Sequence, residues 1–310
     1  MKSLYSQGIV TFMRVLVTGA AGFIGQHVSQ LLNERGHSVL ALDFRIPLIP
    51  LIWWDKVFKV DITEPIPAIP DLDAVIHLAA MANPRDCDAH PDQAFNANVN
   101  GTHQVLKMAL ESGAKKFIFS SSAHVYDIPP KYLPTDEMAN LRLNNVYTTT
   151  KILGEELCRL YWSNYGLSYT TLRLFNVYGG GQAKGYFVPD KIDEAQRGGI
   201  DLRGSNVTKD WIYIDDVADA FVKAVSSPFV GALNIGTGIE TNLGTVAGII
   251  ADAYKVELAT FPVSVPTRMC ADIRCAQTVL GWSPKVSLEE GLERTIKAYS
   301  DQKRPVLQKS

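Results

Sequence analysis

The segment Gly19-Ala20-Ala21-Gly22-Phe23-Ile24-Gly25 sets three glycines at the spacing GxxGxxG. An apolar strand pattern, Arg14 to Thr18, precedes it, and a helical pattern follows. The first glycine permits a tight turn, the second lets backbone approach a pyrophosphate, and the third lets the helix pack on the strand. Free N–H groups and the positive dipole end of that helix then favour the phosphates. Glycines alone are a weak signal, because a purely structural turn uses them too. Here strand, turn and helix come in order, and Asp43 closes the next strand pattern, Ser38 to Asp43, as a dinucleotide site demands. Gly19, Gly22, Phe23, Ile24 and Gly25 are therefore expected against the cofactor. The Asp43 carboxylate suits the ribose hydroxyls of NAD and repels the 2′-phosphate of NADP, so NAD is the expected cofactor. Arg45, two residues on, is the one counter-signal; its plain reading is a surface arginine capping the loop.

From Gly25 to Arg35 the apolar residues Val28, Leu31 and Leu32 recur at helical spacing, and Gly36 is placed as the stop. Ala74 to Leu78 and Lys116 to Ser120 are further strand patterns, and Phe95 to Gly113 and Tyr147 to Tyr165 are long helical ones. Strand and helix alternating in this way imply an α/β fold, a doubly wound parallel sheet of the Rossmann kind. Past Leu174 glycine and proline become frequent, which predicts a smaller, loop-rich C-terminal substrate lobe. Asp215 to Ala224 reads as a helix and Ala232 to Ile235 as a strand returning to the sheet. The expected division is residues 13–175, joined by 212–238, for the cofactor domain, and 176–211 with 239–310 for the lobe. Residues 1–12 are set aside as an extension.

A chain of 310 residues with 46% apolar and 20% charged residues fits that plan. A net charge of −2 with no basic stripe argues against nucleic acid as a partner. No apolar run approaches the roughly 20 residues of a membrane span, and no signal peptide is recognisable at the start. Cys87, Cys158, Cys270 and Cys275 sit at no metal-ligand spacing, so no metal is expected and a reduced, cytoplasmic protein is the simplest reading.

Tyr147 and Lys151 are four residues apart on a predicted helix and so share a face. To exchange protons with a hydroxyl at neutral pH, a tyrosine needs its pKa lowered by roughly three units from about 10. An ammonium about 4 Å away in a partly buried site acts in that direction and on that scale. Alone the pair is a common surface pattern. Its position gives it weight, because it begins a helix downstream of a strand ending in Ser120-Ser121-Ser122, where a hydroxyl can donate to the same substrate oxygen.

These motifs together resemble the extended short-chain dehydrogenase/reductase family, and within it the NAD-dependent sugar-nucleotide epimerases of the UDP-glucose 4-epimerase type. The matching segments are TGAAGFIG (18–25), Asp61-Ile62, HLAA (77–80), NVNGT (98–102), FIFSSSAHVYD (117–127), YTTTK (147–151), LRLFNVYG (172–179), KDWIYIDDVA (209–218) and LGWSPK (280–285). They run in family order across nearly all of residues 14–298. The resemblance implies Asp61 and Ile62 at the adenine, and Leu78, Ala79, Ala80, Ser120 and Phe175 along the cofactor. It implies Asn98 near the active-site helix, Ser122 as the catalytic hydroxyl and Tyr147 as acid/base. Lys151 would bind the nicotinamide ribose as well as tune Tyr147. Asn176 would reach the substrate, and two long helices, around 95–112 and 148–165, would pair in a homodimer through a four-helix bundle.

Departures from the family pattern fall on the substrate side. The family's 4,6-dehydratases carry Asp-Glu after the catalytic hydroxyl, where this chain has Ala123 and His124. Dehydration is therefore not expected; His124 is read as lining the cleft, with proton donation as its alternative. Lys209 replaces an arginine, keeping a phosphate contact but losing bidentate geometry. Arg268 stands near the place of a missing diphosphate-binding segment and is the candidate substitute. The apolar run Ile46 to Trp54 has no assigned role beyond packing on the sheet edge or covering the adenine. The expected activity is epimerisation of a nucleotide sugar through a transient ketone. Its rivals are a dehydrogenase or ketoreductase with net redox turnover, and a non-catalytic NAD-binding scaffold.

Overall fold

A computed structural model describes residues 12–47 and 51–302. Its first half alternates as expected: β1 (Arg14–Thr18), α1 (Phe23–Glu34), β2 (Ser38–Asp43), β3 (Lys56–Lys59) and β4 (Ala74–His77). Next come α2 (Pro84–Ala89), α3 (Pro91–Phe95), α4 (Gly101–Glu111), β5 (Lys116–Ser122), α5 (Val146–Tyr165) and β6 (Ser168–Leu174). Val15, Leu16, Val17, Val75 and Ile76 are fully buried, because helices cover both faces of a parallel sheet and leave no solvated side. The long pattern from Phe95 is interrupted. A π turn, Asn96–Asn100, separates α3 from α4, and such turns often sit at functional positions.

The second half runs β7 (Asn176–Tyr178), α6 (Phe187–Gln196), β8 (Gly199–Arg203), β9 (Thr208–Tyr213), α7 (Ile214–Ser226) and β10 (Gly231–Ile235). It ends with β11 (Glu240–Asn242), α8 (Leu243–Tyr254), β12 (Glu257–Phe261), α9 (Arg274–Leu280) and α10 (Leu288–Gln302). β10 returns to the main sheet, whose order is β10-β6-β5-β4-β1-β2-β3 with every pairing parallel. Chain order reverses between β1 and β4, the switch point outside whose carboxyl ends ligands bind in such sheets. The lobe is more regular than its glycines suggested, with small sheets β11-β9-β7 and β12-β8. Gly198 and Gly204, at φ 112 and 73, bend the chain on either side of β8 rather than dissolving it into loop.

One apolar cluster runs from the sheet (Val15, Ile76, Leu172) into the lobe (Ile192, Ile200, Trp211, Ile250). A second fills the opposite face under α4 and α5 with Leu106, Phe117, Phe119 and Cys158. Trp282 is fully buried and donates its indole N–H to the Asp216 carbonyl at 2.9 Å, pinning the chain before α10 onto α7. Of the apolar run 46–54, residues 48–50 lie outside the described part. Trp54 packs into the first cluster while Ile52 stays 95% exposed. Among the described residues no helix is long and apolar enough to cross a membrane.

Candidate active site

The glycine turn is held from both sides. Gly19 sits at φ +68, donates its N–H to the Leu42 carbonyl at 2.9 Å, and has Ala79 so close that a Cβ would lie 2.7 Å from its nitrogen. A Cβ on Gly25 would lie 2.1 Å from the Gly19 carbonyl oxygen, so helix and turn touch backbone to backbone. Gly22 precedes α1, and no side chain caps that helix. Its first N–H groups, those of Phe23, Ile24 and Gly25, are thus free of side-chain acceptors and suited to a phosphate. Asp43 is buried at the end of β2; its carboxylate accepts from Ala21 N at 3.1 Å and Arg45 N at 2.9 Å. Arg45 is exposed, with its guanidinium 4.7 Å above the Phe44 ring. The cradle fits a dinucleotide: a turn without room for Cβ, an uncapped helix start, and an acid at the neighbouring strand end.

Leu78, Ala79 and Ala80 leave β4 half-buried along this turn. Leu78 N and Ala79 N both donate to Thr18 Oγ1 at 3.2 Å. That hydroxyl therefore donates its own proton to His77 Nδ1 at 2.7 Å, while His77 Nε2–H donates to Thr102 Oγ1 at 3.0 Å and Thr102 to the Asn98 carbonyl at 2.6 Å. The network sets one neutral tautomer, and burial pushes the His77 pKa down to about 3. Asn98, in the π turn, spends its amide on Met81 (O at 3.0 Å, N at 2.7 Å) and on Thr150 Oγ1 at 3.0 Å. It ties the β4 loop to α5, all through protein contacts. Ile62 is buried and fills the space beside Gly101, whereas Asp61 is exposed and caps its own turn through Thr63 N at 3.0 Å.

The catalytic helix starts at a reciprocal cap. Asn145 Oδ1 accepts from Thr148 N at 2.9 Å, and Thr148 Oγ1 accepts from Asn145 N at 3.1 Å, an arrangement that stabilises a helix start by about 1 kcal/mol. Tyr147 and Lys151 consequently lie on its first turns, both buried, against the β5 end that carries Ser120 and Ser122. Tyr147 interacts with the Ser122 hydroxyl. Lys151 donates to the Ser120 carbonyl at 2.8 Å, with its nitrogen 5.8 Å from the Tyr147 ring centre. One expectation fails here. Burial raises the Tyr147 pKa above that of a free tyrosine, and Ser122 offsets this only in part. Lys151 is turned to a carbonyl, and its own pKa is pushed down to about 8 by burial. The pair alone does not bring the phenol to neutral pH.

Two residues without a sequence signal join the group. Cys87 on α2 packs with Tyr147, and burial pushes its thiol up to about 11. Tyr186, before α6, acts electrostatically on Tyr147, and a Cβ on its neighbour Gly185 would lie 3.6 Å from Asn83 Nδ2 at the start of α2.

On the lobe side, Phe175 is buried beside Tyr126 and Met269. Asn176 and Trp211 pair in register on β7 and β9, so their side chains share a sheet face. Asn176 Oδ1 and Trp211 Nε1 are buried without a hydrogen-bond partner. Lys209, two residues before Trp211 and on that same face, is half-buried and has no hydrogen bond or ion pair among the described residues. It acts electrostatically on His124, whose pKa falls to about 4, first through burial and then through Lys209. Arg268 is differently placed. Its guanidinium is committed to Glu240 through bonds of 2.6 and 2.5 Å and is largely exposed. Sheet pairing explains this, because β11 lays Glu240 beside Asp210 of β9.

Residues 15–236 match the NAD dependent epimerase/dehydratase family. The chain is 31% identical over 317 residues to the UDP-glucose 4-epimerase of Mycolicibacterium smegmatis, spanning 93% of this chain and 98% of that one. It is 29% identical over 301 residues to UDP-glucuronic acid decarboxylase 6 of Arabidopsis thaliana, spanning 90% and 87%. The crystal structure of the Thermotoga maritima UDP-glucose 4-epimerase with UDP-glucose is similar at a TM-score of 0.84 and 30% identity, covering 94% of this chain and 100% of that one.

Proposed function

The chain belongs to the NAD-dependent epimerase/dehydratase family, and on that premise we propose that it inverts one carbon of a nucleotide-activated sugar, holding NAD throughout. The observation that carries this reading is the meeting of Ser122, Tyr147 and Lys151 where α5 begins against the end of β5. The glycine turn with Gly19, Gly22 and Gly25, the α1 start and Asp43 would hold NAD, which would supply a reversible hydride acceptor beside the sugar carbon. Ser122 and Tyr147 grip the reacting hydroxyl, and Tyr147 takes its proton. Burial opposes that step, so it depends on positive charge close by, from Lys151 and from the oxidised cofactor. Lys209 holds the diphosphate as a point charge, and Asn176 offers its amide to the sugar. The ketone then turns in the cleft, and Tyr147 gives the proton back.

A dehydrogenase or ketoreductase would use the same three residues, and cofactor retention separates the two. Incubation with UDP-glucose, UDP-galactose, UDP-N-acetylglucosamine and UDP-glucuronic acid, without added NAD, should isomerise one of them over many turnovers. Stoichiometric NADH release instead would replace this reading with net oxidation. The division into a cofactor domain and a substrate lobe is supported by the small sheets β11-β9-β7 and β12-β8, which are separate from the seven-stranded one.

A homodimer is supported by the exposed apolar side chains Leu153 and Leu160 on α5, with Phe95 at the end of α3. Light scattering should give twice the chain mass, and Leu160→Lys should reduce it to one. A cytoplasmic location is supported by four unpaired cysteines; a fusion that fractionates with an oxidising compartment would contradict it.

A further inference from the structure

Tyr147, Lys151 and Glu155 recur every four residues on α5 and so share one face of the helix. Each meets one residue of the β5 end. Tyr147 interacts with the Ser122 hydroxyl, Lys151 donates to the Ser120 carbonyl at 2.8 Å, and Glu155 accepts from Ser121 Oγ at 2.5 Å. Side chains alternate along a strand, so Ser121 faces α5 together with Phe119, which packs beneath that helix. Glu155 is buried, and Arg173, opposite Ser121 on β6, donates to its two oxygens at 3.0 and 2.7 Å. The same guanidinium donates to the Tyr126 hydroxyl and the Glu137 carbonyl, both at 3.1 Å. Tyr126 donates in turn to Asn234 Oδ1 on β10 at 2.6 Å. Ser122 is thus braced from both directions, through Ser121 before it and Tyr126 after it.

We propose that Glu155, clamped by Arg173, is a positioning residue that holds Ser122 in register with Tyr147 through Ser121. This rests on the preceding reading only in taking Ser122 and Tyr147 as the groups that act on the substrate hydroxyl. Stability alone does not call for such a pair. Taking two charges out of water is costly, and apolar side chains of similar volume often hold a fold as well or better. What the pair supplies beyond packing is direction: charge-assisted bonds fix the Ser121 and Tyr126 hydroxyls at set distances. The residue between them, Ser122, then has little freedom to slide along α5. Both charged side chains are nearly enclosed by protein, so they act on the chemistry through the strand end they hold. A shift of about 1 Å in a catalytic group can cost about 10²-fold in rate.

The test separates positioning from stability with two variants of the holoenzyme. Ser121→Ala deletes only the bond between the strand end and Glu155 and leaves the ion pair whole. Its kcat should fall about tenfold, with KM, NAD affinity and melting temperature close to wild type. The double variant Glu155→Leu with Arg173→Met replaces the pair by apolar groups. Its melting temperature should match or exceed that of wild type, while kcat falls by about 10²-fold. A purely structural pair predicts the reverse, with turnover following stability. Wild-type kcat in Ser121→Ala, or in a folded double variant, overturns the proposal, and so does a loss carried by KM alone. Should the double variant not fold, Ser121→Ala decides by itself. Turnover is read as isomer formed or as NADH released, whichever the nucleotide-sugar panel yields. Failure of the epimerase reading therefore shows in the product, and failure of this proposal in the ratio of variant to wild type.

Discussion

The two walls of the cleft are built on opposite principles. On the cofactor side the polar groups are closed among themselves: Thr18, His77, Thr102 and Asn98 form one chain of hydrogen bonds, Asp43 grips the glycine turn, and Lys151 is held by Ser120. On the lobe side Lys209 has no hydrogen-bond partner among the described residues, and Asn176 Oδ1 and Trp211 Nε1 are buried without one. An unmet buried polar group costs about 1–3 kcal/mol, a cost the lobe recovers only when a ligand arrives. The cofactor wall is thus finished by folding, and the lobe wall by binding. One should hold its shape with the cleft empty, and the other should change its contacts with each substrate.

Tyr147 stands on the seam, and it yields the largest expected effect. Tyr147→Phe keeps the ring packed against Cys87 while deleting the group that moves the proton. Turnover on the true substrate should fall by about 10² to 10⁴, with NAD affinity unchanged in a calorimetric titration. A variant that retained most of its turnover would remove Tyr147 from the chemistry altogether.

The same contrast explains what could be read in advance. The glycine turn was legible because its spacing has a single mechanical reason, and Gly19 and Gly25 sit where a Cβ would strike Ala79 and the Gly19 carbonyl. Tyr147 and Lys151 were legible because helical spacing puts them on one face. The direction of the Tyr147 pKa was not, since spacing reports neighbours and not burial. Arg268 looked free because its partner, Glu240, lies 28 residues away and arrives only through sheet pairing. Cys87 and Tyr186 come from α2 and from the turn before α6, whose approach to α5 no local pattern records.

Lys209 and Arg268 sharpen the comparison inside the lobe. Lys209→Ala removes an unpaired ammonium facing the cleft and should raise KM for the nucleotide sugar roughly 10- to 100-fold, the worth of a charge-assisted contact. NAD affinity should not move. Arg268→Ala removes a cation already engaged by Glu240 at the surface, so its effect should stay below about fivefold. If Arg268 proved the costlier loss in substrate-saturation kinetics, its ion pair would have to open for the diphosphate, and the lobe's wall would be assigned to the wrong cation.

Lys151 gives the effect with the clearest sign. Burial lowers its pKa to about 8, against about 10.4 in an unfolded chain. Below pH 8 both states carry the proton. Between 8 and 10.4 the unfolded chain keeps a proton that the folded one has released, so this titration raises stability as pH rises, relieving the cost of a buried charge. Cofactor binding should run the other way, because the ammonium assigned to the ribose disappears over the same range. From pH 7 to 9 the apparent Kd for NAD should weaken by about tenfold, one pH unit past the ionisation. A loss of affinity accompanied by a constant or rising melting temperature cannot be unfolding. Lys116, also lowered to about 8, titrates in the same window. It sits at the opposite end of β5, bonded to the Phe229 carbonyl at 2.6 Å, and so affects stability alone. Lys151→Arg separates the two, since a guanidinium keeps its charge throughout: its Kd should be flat from pH 7 to 9 even if weaker at every point. A flat profile in the wild type would mean that the Lys151 ammonium does not hold the cofactor, and the finished wall would lose one of its members.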